Sequence, residues 1–159
     1  MELRIRQRLF SWFDSYEVYG EDGSVAYTVK GELALGHQLR IYDCSDRPLG
    51  LVKQVVLSFL PVFQLYQDGQ YIGTLHRKMT LFHPVYEIEE LGWRVEGDFP
   101  AWNYQVMDAE NRLVAIVSKR LLNLTDTYVL DILDSRNTLL VLMIVIAIDA
   151  ALCTAESAS

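Results

Sequence analysis

Thr138-Leu-Leu-Val-Leu-Met-Ile-Val-Ile-Ala-Ile-Asp149-Ala-Ala-Leu-Cys153 is the most apolar stretch of the chain, and its reading decides the fold. As a helix it extends about 24 Å, short of the roughly 30 Å hydrocarbon core of a bilayer, and Asp149 interrupts it. A helix that is apolar on every face, yet too short to span, has to be surrounded by protein. The stretch therefore reads as a buried core helix, with a membrane anchor as the alternative. The rest of the chain must then supply its walls.

From residue 3 to about 134 the sequence offers short β-prone runs broken by Gly, Asp, Asn and Pro, the pattern of antiparallel sheet. Strands are predicted at 3–11, 16–20, 24–31, 34–43, 49–58, 62–67, 70–78, 84–91, 92–98, 101–108, 112–120 and 126–134. Pro61, Pro84 and Pro100 fall at strand beginnings, where a missing amide hydrogen costs least. An internal repeat runs through this region. Tyr16, Leu39 and Phe63 open successive copies, followed by Val18, Ile41 and Leu65, by Tyr19, Tyr42 and Tyr66, and later by Lys30, Lys53 and Arg77. A fourth copy starts at Tyr104, displaced by one residue. Glu21-Asp-Gly23, Ser45-Asp-Arg-Pro48 and Asp68-Gly69 carry the residues that hairpin turns require.

Twelve strands in an open sheet leave exposed edges, and closure removes them. A barrel that wide cannot be filled by its own side chains, because its diameter grows with strand number. The fold predicted is a closed antiparallel β-barrel of about twelve strands threaded by a helix at 137–152, with Asn137 or Ser135 as N-cap. One domain over 3–152 and a frayed tail from 153 to 159 account for the chain.

Hydrophobic residues make up 51% of the composition and charged residues 22%, which excludes a disordered chain. With 14 Lys and Arg against 21 Asp and Glu, the net charge of −7 opposes binding to nucleic acid. The N-terminus alternates charged and apolar residues rather than forming a signal peptide, so a cytoplasmic protein is expected, one able to lie at the membrane periphery. Cys44 and Cys153 are too few for a disulfide framework or a zinc site.

Several segments carry a resemblance. Tyr16-Glu-Val-Tyr19 with Glu21-Asp-Gly23 and Tyr27-Thr-Val-Lys-Gly31 resemble the opening hairpin of the LURP-one-related family, also called YxjI-like, in the tubby C-terminal-like superfamily with the phospholipid scramblases. Ala115-Ile-Val-Ser-Lys-Arg120, Asp126-Thr-Tyr128 and the closing apolar helix ending Ala147-Ile-Asp149 extend the likeness over residues 3–152. The resemblance implies a twelve-stranded barrel around a central hydrophobic helix. Its tubby relatives bind phosphoinositides and its scramblase relatives act at membranes. Calcium-triggered lipid movement is not implied, because Asp126, Asp131 and Asp134 lack the spacing and central Gly of a calcium loop.

Arg4, Arg6 and Arg8 alternate with Leu3, Ile5 and Leu9, which places three guanidinium groups on one face of a strand. Lys30, Lys53, Arg77, Lys78, Lys119 and Arg120 recur near the ends of repeat strands. Gathered at one rim of the barrel, these cations form a candidate site for an anionic phospholipid head group; as solvated outer positions, they only guard strand edges. His37, His76 and His83 have no metal-ligand spacing, so no metal or other cofactor is expected. No nucleophile elbow or Cys/His signature is present, and Glu89 and Glu90 point to opposite faces of a strand. Trp12, Trp93 and Trp102 are read as core. Asp149 is expected to be a structural polar group, bonded to the barrel wall or emerging at the barrel end. The reading is a non-enzymatic binding or scaffolding module, with an anionic membrane surface as the first candidate partner. A protein-interaction module, and an enzyme or small-molecule carrier with a surface cleft, are the alternatives.

Overall fold

The computed structural model describes residues 1–6, 15–122 and 125–157. Twelve strands are present: β1 Glu2–Arg6, β2 Ser15–Tyr19, β3 Val25–Ala34, β4 Gly36–Asp43, β5 Pro48–Gln54, β6 Val62–Gln67, β7 Gln70–Lys78, β8 Val85–Ile88, β9 Trp93–Asp98, β10 Asn103–Met107, β11 Leu113–Leu122 and β12 Thr125–Ile132. Each pairs antiparallel with its neighbour in sequence, and β1 pairs with β12 to close the barrel. The last element is the helix α1, Thr138–Ser157.

The internal repeat is visible as backbone geometry. The register slips between Val18 and Tyr19, Ile41 and Tyr42, Leu65 and Tyr66, and again between Val106 and Met107. Each slip comes just before a turn at the same end of the barrel, where a bulge raises local twist and helps the sheet to curve. Two of the turns share their chemistry as well. Asp43 accepts from the amides of Ser45 and Arg47, and Asp108 accepts from those of Glu110 and Arg112.

Alternation along the strands sends Val18, Val29, Ile41, Val52, Leu65, Leu75, Val106, Val117 and Leu130 inward, all essentially without exposure. They meet α1, whose residues Val141 to Ile148 are all buried. The helix is long and apolar enough to cross a membrane by length and composition, but here its surroundings are barrel wall. Gly50 shows how tightly the two fit: a Cβ there would lie 3.0 Å from Met143 Sδ and 3.4 Å from Leu139 Cδ1.

Asp134 caps a 3-10 turn over Ser135–Asn137 by accepting from the Arg136 amide, so the side-chain cap shown lies upstream of the expected Asn137 and Ser135, and α1 follows the turn directly. Two other expectations need correction. The helix also runs past residue 152 to Ser157, so Cys153–Ser157 are helical rather than a frayed tail. Thr154 bonds back to the Ala150 carbonyl at 2.9 Å within it. Finally, the strand expected over 49–58 stops at Gln54, and the one expected over 84–91 stops at Ile88.

Candidate binding surface at the loop end of the barrel

Helix direction distinguishes the two ends. At one, here the turn end, α1 starts beside Met1, whose Sδ accepts from Thr138 Oγ1. The connections at that end are short polar hairpins carrying Asp22, Asp43, Asp46, Asp68, Asp108, Glu110 and Asp134. Its arginines are tied to adjacent carboxylates: Arg47 to Asp43 at 3.1 Å, Arg112 to Asp108 at 2.8 Å and Arg136 to Asp134 at 2.6 Å. Through the Arg136 bonds the Asp134 carboxyl is held down at about 2.

The opposite end, the loop end, is where Asp149 and Cys153 lie. Asp149 is half-buried, close enough to Tyr16 and Tyr104 to be felt by both hydroxyls. Burial, reinforced by the Asp149 charge, pushes both phenols well above their ordinary range. Asp149 thus belongs to the mouth of the barrel, not to its middle. An aromatic layer lies across that mouth. Phe99 sits edge-on to Tyr86 with centroids 4.9 Å apart and 5.2 Å from Tyr104, and Trp102 stacks on Tyr128 at 3.5 Å. Trp102 is indeed core.

Exposed apolar residues collect at this same end. Leu35 forms the β3–β4 turn; Val56, Leu57 and Phe59 lie in the β5–β6 loop; Met79, Leu81 and Phe82 lie in the β7–β8 loop. The sequence predicts strand through residue 58, because apolar residues look alike in sequence whether they face a core or solvent; here Val56 and Leu57 project outward.

The predicted cations divide. Lys53, Arg77 and Lys78 stand at or near the strand ends that lead into the two long apolar loops, and Lys119 lies toward the loop end of β11. Arg77 is half-buried, with its Nε lacking a hydrogen-bond partner among the described residues, and Lys78 reaches Glu87 at 3.3 Å. Others are drawn elsewhere. Lys30 lies over the Tyr42 ring and 3.8 Å from Asp46, Arg120 is 3.8 Å from Glu2, and Arg4 bonds Glu2 at 2.6 Å. Arg6 shares the outer face with Arg4 as predicted, but stacks on Tyr19. Arg8 lies outside the described residues. The continuous basic rim expected from the repeats is therefore replaced by a cationic sector centred on β5 to β8.

Spacing along the chain missed one cluster. Pairing of β7 with β8 sets His76 opposite Glu87, and Glu89 follows on a 3-10 turn, so their ligand atoms lie within 4.8 Å of one another. His76 Nε2 is 3.6 Å from Glu89, while Lys78 already occupies Glu87. The cluster is a surface network in which His76, Lys78, Glu87 and Glu89 contact one another.

A twelve-stranded antiparallel barrel closed around its own C-terminal helix is the architecture that the resemblance to the LURP-one-related proteins implied. The X-ray structure of a protein from Arabidopsis thaliana shares this fold, with a TM-score of 0.63 over 93% of this chain and 90% of that one, at 14% identity. The uncharacterized protein YxjI of Bacillus subtilis (strain 168) is 30% identical over 160 residues, covering 100% of this chain and 98% of that protein. The sequence profile of the LURP-one-related proteins matches residues 1–149, and the chain belongs to that family.

Proposed function

We propose that this protein is a non-enzymatic binding module that docks its loop end on an anionic phospholipid surface from the cytoplasmic side. One observation carries the reading: charge is distributed unequally along the barrel axis. Lys53, Arg77, Lys78 and Lys119 lie toward the loop end, whereas the hairpins of the turn end are rich in carboxylates. A chain with a net charge of −7 is repelled by an anionic surface as a whole, yet such an asymmetry turns the cationic end toward it.

Co-sedimentation with neutral and phosphatidylserine-containing vesicles at low and physiological salt tests the reading. Binding that requires the anionic lipid and weakens as salt rises is expected, because screening shortens the reach of the cations. Equal binding to neutral and anionic vesicles, or none to either, overturns it and turns attention to a protein partner.

A further inference from the structure

The loop end carries more than charge. Leu57 and Phe59 are 100% exposed, Leu81 is 94% exposed and Phe82 is 90% exposed. Large apolar side chains so completely in water, and gathered in two loops, mark a surface that something apolar covers. The two loops are neighbours on the rim, because β6 pairs with β5 on one side and β7 on the other. The β3–β4 turn abuts the first of them. At Gly36, where φ is +93°, a Cβ would come within 2.8 Å of the Val56 side chain and 3.0 Å of the Gln54 carbonyl.

Two details bear on what covers these loops, and the first separates a membrane from a folded protein. The first is the level of the charges: Lys53, Arg77 and Lys78 stand on the strands just behind the apolar residues, so cations and apolar groups occupy successive layers along the barrel axis. That order matches a membrane interface, with phosphate outside and acyl chains beyond. The second is backbone strain. Leu57 has φ +67°, a left-handed conformation that branched apolar residues seldom adopt, and its side chain is fully exposed rather than packed.

We infer that Leu57 and Phe59 of one loop and Leu81 and Phe82 of the other form a two-pronged wedge that enters the acyl region of an anionic membrane. Lys53, Arg77 and Lys78 then reach the head-group phosphates, and the barrel stands end-on with its acidic turns facing away. This inference rests on the membrane reading above and adds insertion to surface attraction.

The test uses the full chain, the double variant F59D/F82D and the triple variant K53Q/R77Q/K78Q. Each is measured by sedimentation with phosphatidylcholine vesicles containing phosphatidylserine, and by the rise in surface pressure of a monolayer of the same lipids. The parent is expected to bind and to raise the pressure. F59D/F82D should melt like the parent, since both side chains are exposed, yet bind roughly tenfold or more weakly and leave the pressure flat, because the apolar area available for burial is lost. K53Q/R77Q/K78Q should lose much of its salt dependence. A parent that binds without raising the pressure, with F59D/F82D binding equally, overturns the wedge and leaves surface attraction standing. Failure of the parent to bind overturns both.

Discussion

The turn end and the loop end of this barrel solve the same problem, reversing the chain between antiparallel strands, by different chemistry. At the turn end, aspartates accept from backbone amides, arginines neutralise the aspartates, and the connections end almost as soon as they begin. At the loop end, apolar side chains project from longer connections above an aromatic layer. A turn that satisfies its own polar groups needs no partner. Loops that expose leucine and phenylalanine are in their lowest free energy only against something apolar.

The comparison can be broken most decisively beneath the loops. Phe99→Ala removes the ring that contacts both Tyr86 and Tyr104, and is expected to cost about 3–5 kcal/mol in denaturant titration. A loss under about 1 kcal/mol would show that the aromatic layer does not seal the mouth. Next in size is Gly50→Val toward the turn end, where a Cβ alone would lie 3.0 Å from Met143 Sδ and 3.4 Å from Leu139 Cδ1, and two further methyls have to be fitted. Overpacking there should cost about 1–3 kcal/mol, visible as a lowered midpoint with unchanged denaturant slope.

Asp149 sharpens the contrast from inside. Replacing it with Ala is expected to cost about 1–3 kcal/mol and replacing it with Asn distinctly less, since the amide keeps hydrogen-bonding capacity at the mouth. If both melt like the parent, the helix is not anchored through this residue.

Acid should separate the two ends further. Asp134 titrates at about 2 when folded, lowered by Arg136, and Asp22, Asp43 and Asp108 are shifted in the same direction by local hydrogen bonds. Their stabilising contribution is complete above the usual carboxylate range, near pH 4, and is lost as pH falls toward 2. The melting temperature should therefore decline over that window, and Asp134→Asn should flatten the decline. An unchanged slope in the variant would remove Asp134 from the account.

The smallest effect runs in the opposite direction. Leu57→Gly relieves a left-handed leucine at the loop end, and its gain, less the entropy of the added glycine, should raise stability by up to about 1 kcal/mol. If the same change weakens vesicle binding, strain and binding reside in one residue.

Much of the scaffold was legible because its signals are local. Asp and Gly mark the hairpins, alternation marks the inward face, and a helix apolar on every face calls for walls around it, although at 20 residues it is longer than the sixteen-residue stretch the sequence suggested. The repeat of Tyr16, Leu39 and Phe63 even foreshadowed the repeated bulge before each turn. The binding surface was legible only in part. Lys53, Arg77 and Lys78 stood out in the repeat, but Arg120 and Lys30 did too, and nothing along the chain says that their long side chains lean toward Glu2 and Asp46. The run Val55-Val-Leu-Ser58 reads as the end of a strand because its composition suits one; only the three-dimensional course of the chain turns Val56 and Leu57 outward. His76 and Glu87 meet through strand pairing, which spacing along the sequence does not encode.

The position of α1 in the chain has a consequence for synthesis. The element that fills the barrel follows all twelve strands in the chain, and the strand that closes it, β12, comes only just before. Until then the emerging β1 has one edge without its partner and every inward face is bare, so no intermediate length of nascent chain holds the finished core. Completion of the barrel is thereby deferred until α1 has emerged, with the strands waiting on a single later segment. A nascent-chain protease assay should find the barrel susceptible until residues beyond Ile148 have cleared the exit tunnel.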